Sequence, residues 1–150
     1  MNNVLYSNID NIERIRTAEI IYENFLVSLK PDLVLVTSVF EGYNDNAIVI
    51  SAPNHKSFKI GAIFYDVIPF INKEQYITGN KIFEEYYMNR FNKIKNYDFL
   101  LAISESSKFE AHSILGLPSE NICNIKAATE DYFLVQSYSQ NYQNSLFDKF

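Results

Sequence analysis

Between Ile9 and Leu29, apolar residues recur mostly at three- and four-residue steps: Ile12, Ile15, Ile20, Ile21, Phe25, Leu26 and Leu29. Charged residues fill much of the remainder, so the stripe predicts an amphipathic helix. Pro31 and Asp32 end it, because proline cannot continue the hydrogen-bond ladder and biases Lys30 away from helical angles. The run Leu33-Val34-Leu35-Val36-Thr37 is short, branched and continuously apolar, the pattern of a strand covered on both faces in a parallel sheet. Ser38 to Asp45 is a loop carrying Glu41, Gly42 and Asp45, the last as a helix cap. Ala47 to Ser51 predicts a brief helix or strand, and Pro53-Asn54-His55 a turn.

A second apolar run, Lys59 to Tyr65, ends in the polar pair Tyr65-Asp66 before Val67-Ile68-Pro69. A helix is expected from about Ile77 to Lys95, with Ile82, Phe83, Tyr86, Tyr87, Phe91 and Ile94 on its buried side. Asp98 to Ile103 is a third strand. Ser104 then has the chemistry of an N-cap with Ser107 at N3, and the helix runs to Leu115 with Gly116 at its C-cap and Pro118 beyond. Asn121 to Ile125 forms a fourth strand, which places Cys123 as a small buried filler. From Glu130 onward the chain turns polar and rich in Gln and Asn, so the expected organisation is one domain over 1–133 and a linker over 134–150.

Strand and helix alternate, as in an α/β domain whose parallel sheet is flanked by helices and whose ligand sites gather outside the carboxyl ends of the strands. Three polar clusters fall at those ends: Glu41 with Asp45, Tyr65 with Asp66, and Ser104-Glu105-Ser106.

Composition narrows the chemistry. A chain of 150 residues with 47% hydrophobic content is large enough for one domain with a real core. The net charge of −5 disfavours a nucleic-acid partner, which needs a surplus of Lys and Arg. One cysteine provides no disulfide, and His55 and His112 are too far apart in sequence and too isolated to predict a metal site or any cofactor. His112 is better suited to a surface or capping role. No stretch approaches the length of a membrane span, and the first residues lack the basic and apolar segments of a secretory signal, so a cytoplasmic setting is expected. Aromatic residues make up 15% of the chain, and their clustering between Phe83 and Phe99 favours core packing.

Taken in order, Lys30-Pro31-Asp32, Ser38-Val39-Phe40-Glu41-Gly42, Tyr65-Asp66-Val67-Ile68-Pro69, Ala102-Ile103-Ser104-Glu105-Ser106-Ser107 and Leu115-Gly116-Leu117-Pro118-Ser119-Glu120-Asn121-Ile122 resemble the group 1, or GT4-type, GT-B glycosyltransferases. The resemblance covers most of Leu29 to Phe133. It implies a partial Rossmann-like fold, the C-terminal half of the acceptor-side domain of a retaining enzyme of polysaccharide biosynthesis. The family's first strand with its glycine-rich loop and its donor-binding domain are not represented.

The resemblance also implies partners and roles. The full-length protein would use a nucleotide-sugar donor and a glycan or lipid-linked acceptor, at the inner face of the membrane if not free in the cytoplasm. Asp66 would orient the acceptor or take its proton. The family commonly has His before this carboxylate, and Tyr65 stands in that place. Glu41 and Gly42 would meet sugar hydroxyls, the glycine permitting close backbone approach. Ser104, Glu105 and Ser106 would offer backbone N–H groups and a carboxylate at a helix start.

A half-sheet would expose unpaired backbone along one strand, so self-association through that edge, a swapped element or coverage by the N-terminal helix is expected. The isolated chain should be nearly inactive. The alternative is a non-catalytic α/β binding or assembly module, or one half of a split transferase. A nucleotide-binding or response-regulator-like domain ranks below both, because no acidic cluster follows the first strand and no glycine-rich phosphate motif is present.

Overall fold

The structure, a computed structural model, describes residues 12–45, 47–50 and 57–128. The periodic N-terminal segment forms α1 (Ile12–Ser28). Lys30 leaves the helix at φ 51°, and Pro31 follows, so the ladder stops where proline would break it. Strand β1 (Leu33–Val36) comes next, and residues 37–45 and 47–50 carry no regular element. Strand β2 (Lys59–Phe64) leads into two single helical turns, α2 (Ile68–Ile71) and α3 (Lys73–Tyr76), and then α4 (Lys81–Ile94). Strand β3 (Phe99–Ala102), α5 (Glu105–Ser113), a 3-10 turn at Ser119–Asn121 and β4 (Ile122–Asn124) follow.

All four strands are parallel, in the order β1-β2-β3-β4. Chain order and spatial order coincide, so right-handed crossovers put every connecting helix on the same side. That side holds the core. Val34, Val36, Ile60, Ala62, Phe64, Leu100, Ala102 and Ile122 alternate onto it, and Phe91, Ile94, Tyr86, Tyr87 and Ala111 cover them. Glu19 of α1 pairs with Lys93 and lies 3.7 Å from Arg90 of α4, which ties α1 into the same layer.

The other face is barely covered by the described residues. Leu33 and Leu35 are 47% and 41% exposed, Ile63, Phe99 and Leu101 are half-buried, and Cys123 is exposed. This corrects two expectations: among the described residues β1 is not covered on both faces, and Cys123 is exposed rather than a core filler. A continuously apolar run identifies a parallel strand, but its second covering layer has to come from crossovers running in the other direction. Gly61 sits on this face beneath the Phe99 ring, which would occupy the position of any β-carbon there. At the β1 edge, β2 is the only strand partner among the described residues.

Other boundaries move for local reasons. Helix α4 begins at Lys81 rather than Ile77, because Asn80 caps it by accepting from Phe83 N at 3.1 Å. Ile82 lies on its exposed side, and Arg90 is fully buried. Helix α5 ends at Ser113, short of Leu115, with Ile114 as its C-cap, while Gly116 turns the chain at φ 75°. Asp45 accepts from Ala47 N at 2.7 Å in a turn with no helix after it, and no helix or strand forms over 47–50. The Pro53–His55 turn, Ser51 and the 134–150 linker lie outside the described residues.

Candidate functional site

Parallel pairing carries every strand's carboxyl end to one rim. Val36 lies opposite Ala62, and Phe64 opposite Ala102, which in turn faces Asn124. The residues that follow, Thr37 to Glu41, Tyr65-Asp66, Ser104 to Ser106 and Lys126, therefore leave the sheet on the same side. Glu41 and Glu105 are exposed, Asp66 is half-buried, and Tyr65 is 54% exposed.

The turn bearing Asp66, the start of α5 and the end of β4 are bonded to one another. Ser104 caps α5 in an extended conformation, its Oγ accepting from Ser107 N at 3.0 Å. The Ser107 hydroxyl donates to the Tyr65 carbonyl, and Glu110 of the same helix accepts from Val67 N at 3.1 Å. Helix α5 thus clasps both sides of Asp66. One Asp66 carboxylate oxygen accepts from Ile68 N at 3.0 Å, a cap on the turn before α2. Capping and ligand contact are compatible, since a carboxylate has two oxygens and about four lone-pair directions.

On the far side, Glu105 accepts from the Asn124 side-chain amide nitrogen at 2.7 Å, and Asn124 Oδ1 accepts from Lys126 N at 2.9 Å. Lys126 adopts φ 55°, which turns the chain back at the rim. At the β1 end, Ser38 donates to the Glu41 carboxylate at 2.8 Å. Gly42 is buried at φ 101°, a conformation that side chains other than glycine rarely adopt. A shallow pocket beside this loop is lined by Tyr22, Val36, Ser38, Glu41 and Val49.

Tyr87 stands behind the rim. Burial pushes its phenol up, the Phe70 backbone amide pulls the other way, and the negative charges of Asp66 and Glu110 add to the rise. The Phe70 amide does not complete a well-formed hydrogen bond to this hydroxyl. Tyr97, donating to the Ile50 carbonyl at 2.7 Å, is likewise pushed up chiefly by burial. Burial depresses Lys93, opposed by its bond to Glu19.

Several rim residues escaped sequence reasoning. Glu110 and Asn124 reach partners 43 and 19 residues away, which no local pattern signals. His112, expected as a surface or capping residue, is exposed, with a ring nitrogen 2.8 Å from the Leu117 carbonyl in the loop after α5; His55 is outside the described residues. Among the described residues no group of His, Cys, Asp and Glu is arranged to hold a metal, and no helix is long and apolar enough to cross a membrane.

Chemically, the rim is a row of carboxylates with hydroxyl and amide groups between them. Carboxylates accept well from vicinal hydroxyls and repel phosphate, so the arrangement suits a hydroxyl-rich ligand better than an anionic one.

A serotype-specific mannosyltransferase WbdA of Escherichia coli is 34% identical over 145 residues, which is 97% of this chain and 18% of the relative. Two further Escherichia coli sequences of the same name are 32% identical over 145 residues, covering 18% and 17% of their lengths. The chain therefore spans less than a fifth of the curated relatives it matches. No family model matches the chain, and no solved structure does.

Proposed function

We propose that this chain is the acceptor-side portion of a retaining glycosyltransferase of the GT-B, GT4-type plan, which moves a sugar from a nucleotide donor to a glycan or lipid-linked acceptor. The observation that carries the reading is the common rim, where Glu41, Asp66 and Glu105 leave adjacent parallel strands on one side. The mannosyltransferase relatives support mannose as the sugar class, and alignment over 97% of this chain supports a shared segment.

Roles follow from the chemistry. Asp66, with one oxygen engaged in its turn, orients the acceptor hydroxyl or takes its proton through the other. Glu41 and the Gly42 backbone bind sugar hydroxyls, and Tyr65 supplies an apolar ring beside them. Ser104, Glu105 and Ser106 form the far wall, where α5 presents free backbone N–H groups. The departing diphosphate carries the charge that most needs stabilising, and a carboxylate rim is ill suited to that task. Donor phosphates would therefore be held by polypeptide outside these 150 residues. The isolated chain is then nearly inactive, and it works at the cytoplasmic side, free or against the inner membrane face.

The test is a transfer assay with a panel of nucleotide-activated sugars, run on the polypeptide of the whole reading frame and on the 150 residues alone. Transfer from the whole protein, lost by about 100-fold or more in Asp66→Ala and weakened in acceptor binding by Glu41→Ala, is the expected result. Comparable transfer by the isolated chain, or full activity in both variants, would refute the proposal.

A further inference from the structure

Glu41 is exposed on a loop with no secondary structure, yet the loop is gripped from beneath by one helix. The Tyr86 hydroxyl of α4 donates to the Glu41 backbone carbonyl at 2.9 Å, across 45 residues of sequence. On one side of Glu41, Phe40 stacks on Tyr87 with ring centroids 4.7 Å apart and planes 15° from parallel. On the other, Tyr43 packs edge-on to Phe83 at 4.9 Å and against Tyr86 at 5.2 Å, and its hydroxyl accepts from the Asn80 side chain at 3.1 Å. Asn80 is also the N-cap of α4. The helix start and the loop therefore share an anchor.

The same helix holds the neighbouring turn, since Phe91 stacks on Phe70 with centroids 4.1 Å apart. We propose that Tyr86 is a positioning residue that fixes Glu41 relative to Asp66 and thereby sets affinity for the acceptor sugar. The inference rests on the proposed role of Glu41. A loop carboxylate can be precise only if its backbone is immobilised, and the Tyr86 hydroxyl makes a directed polar contact to the Glu41 backbone. Tyr86 touches no reacting group; it acts through Glu41.

Tyr86→Phe removes only the hydroxyl and keeps the ring contacts, so the variant folds. Amide hydrogen exchange across 37–45 in the 150-residue chain should then quicken by about five-fold, the factor that one net hydrogen bond is worth. Exchange in β3 and α5 should stay unchanged. In the whole protein, the acceptor KM should rise by a similar factor with kcat retained, the signature of lost ground-state positioning. In a Glu41→Ala background the same change should have no further effect on KM. Additive KM changes, or unaltered exchange over 37–45, would overturn the positioning role. A Glu41→Ala variant with wild-type KM would instead overturn the sugar-binding reading of Glu41, and this role with it.

Discussion

Removing the Ser107 hydroxyl should loosen the rim more than its small size suggests. Ser107 is 5% exposed and belongs to a chain of bonds joining α5 to the turn that bears Asp66. Its hydroxyl donates to the Tyr65 carbonyl and lies 2.9 Å from Ser104 Oγ. In Ser107→Ala the backbone N–H still reaches Ser104, so the helix cap survives, but the Tyr65 carbonyl loses its donor. One net hydrogen bond is worth about 1 kcal/mol, and a buried acceptor left without a partner costs about 1–3 kcal/mol. The Tyr65 side chain is exposed, which lets water reach part of this turn, so a loss of about 2 kcal/mol is expected. For a chain of this size that lowers the melting midpoint by about 4–8 °C. With no Trp present, urea unfolding followed by far-UV circular dichroism is the suitable assay, with m held constant between variants. The exposed neighbour in Ser106→Ala should stay within about 0.5 kcal/mol of wild type. Equal stability of the two alanine variants would show that the Ser107 bond does not hold the Asp66 turn.

Three further outcomes follow from other contacts. Gly61→Ala pushes a methyl into the Phe99 ring and should cost about 1–3 kcal/mol, most of it recovered in the double variant with Phe99→Leu, measured by the same urea titration. Tyr97 and Tyr87 have phenols raised by burial, so they add stability that is complete below the unfolded value near about 10 and lost as pH climbs above it. The advantage of wild type over Tyr97→Phe should therefore shrink above about pH 10 in urea midpoints, a comparison in which the opposite contribution of depressed Lys93 cancels; a constant advantage up to about pH 11 would contradict the burial argument. Glu110→Gln keeps an acceptor for Val67 N, so it should be milder than Glu110→Ala by about 1 kcal/mol in thermal melts.

Much of the architecture was legible because the relevant forces are local. Runs such as Lys59 to Phe64 and Phe99 to Ala102 are branched, apolar and short, and Ser104 three residues before Ser107 has the geometry of a cap; each appears where it was expected. The bare sheet face was not legible, since Leu33 and Leu35 look like buried strand residues and only the direction of successive crossovers leaves them open. The Arg90 site was hidden for a similar reason. A guanidinium at 0% exposure is made tolerable by partners such as Val49, which accepts from it at 3.2 Å, and Glu19 alongside, 41 and 71 positions away. For the rim, the carboxylates themselves could be picked out from strand ends, whereas the serine, asparagine and tyrosine contacts that hold them depend on register and helix placement.

The proposed sugar recognition by the strand-end rim can be tested on the chain itself. A two-dimensional amide spectrum of the nitrogen-labelled 150 residues, titrated with a mannose oligosaccharide, should shift signals from Glu41, Gly42, Asp66 and the Ser104–Ser106 turn together along one binding curve. Nucleoside diphosphate alone should leave those signals in place. Shifts confined to the bare sheet face or to α1, or a rim that responds to the diphosphate and ignores the sugar, would contradict the acceptor-side assignment.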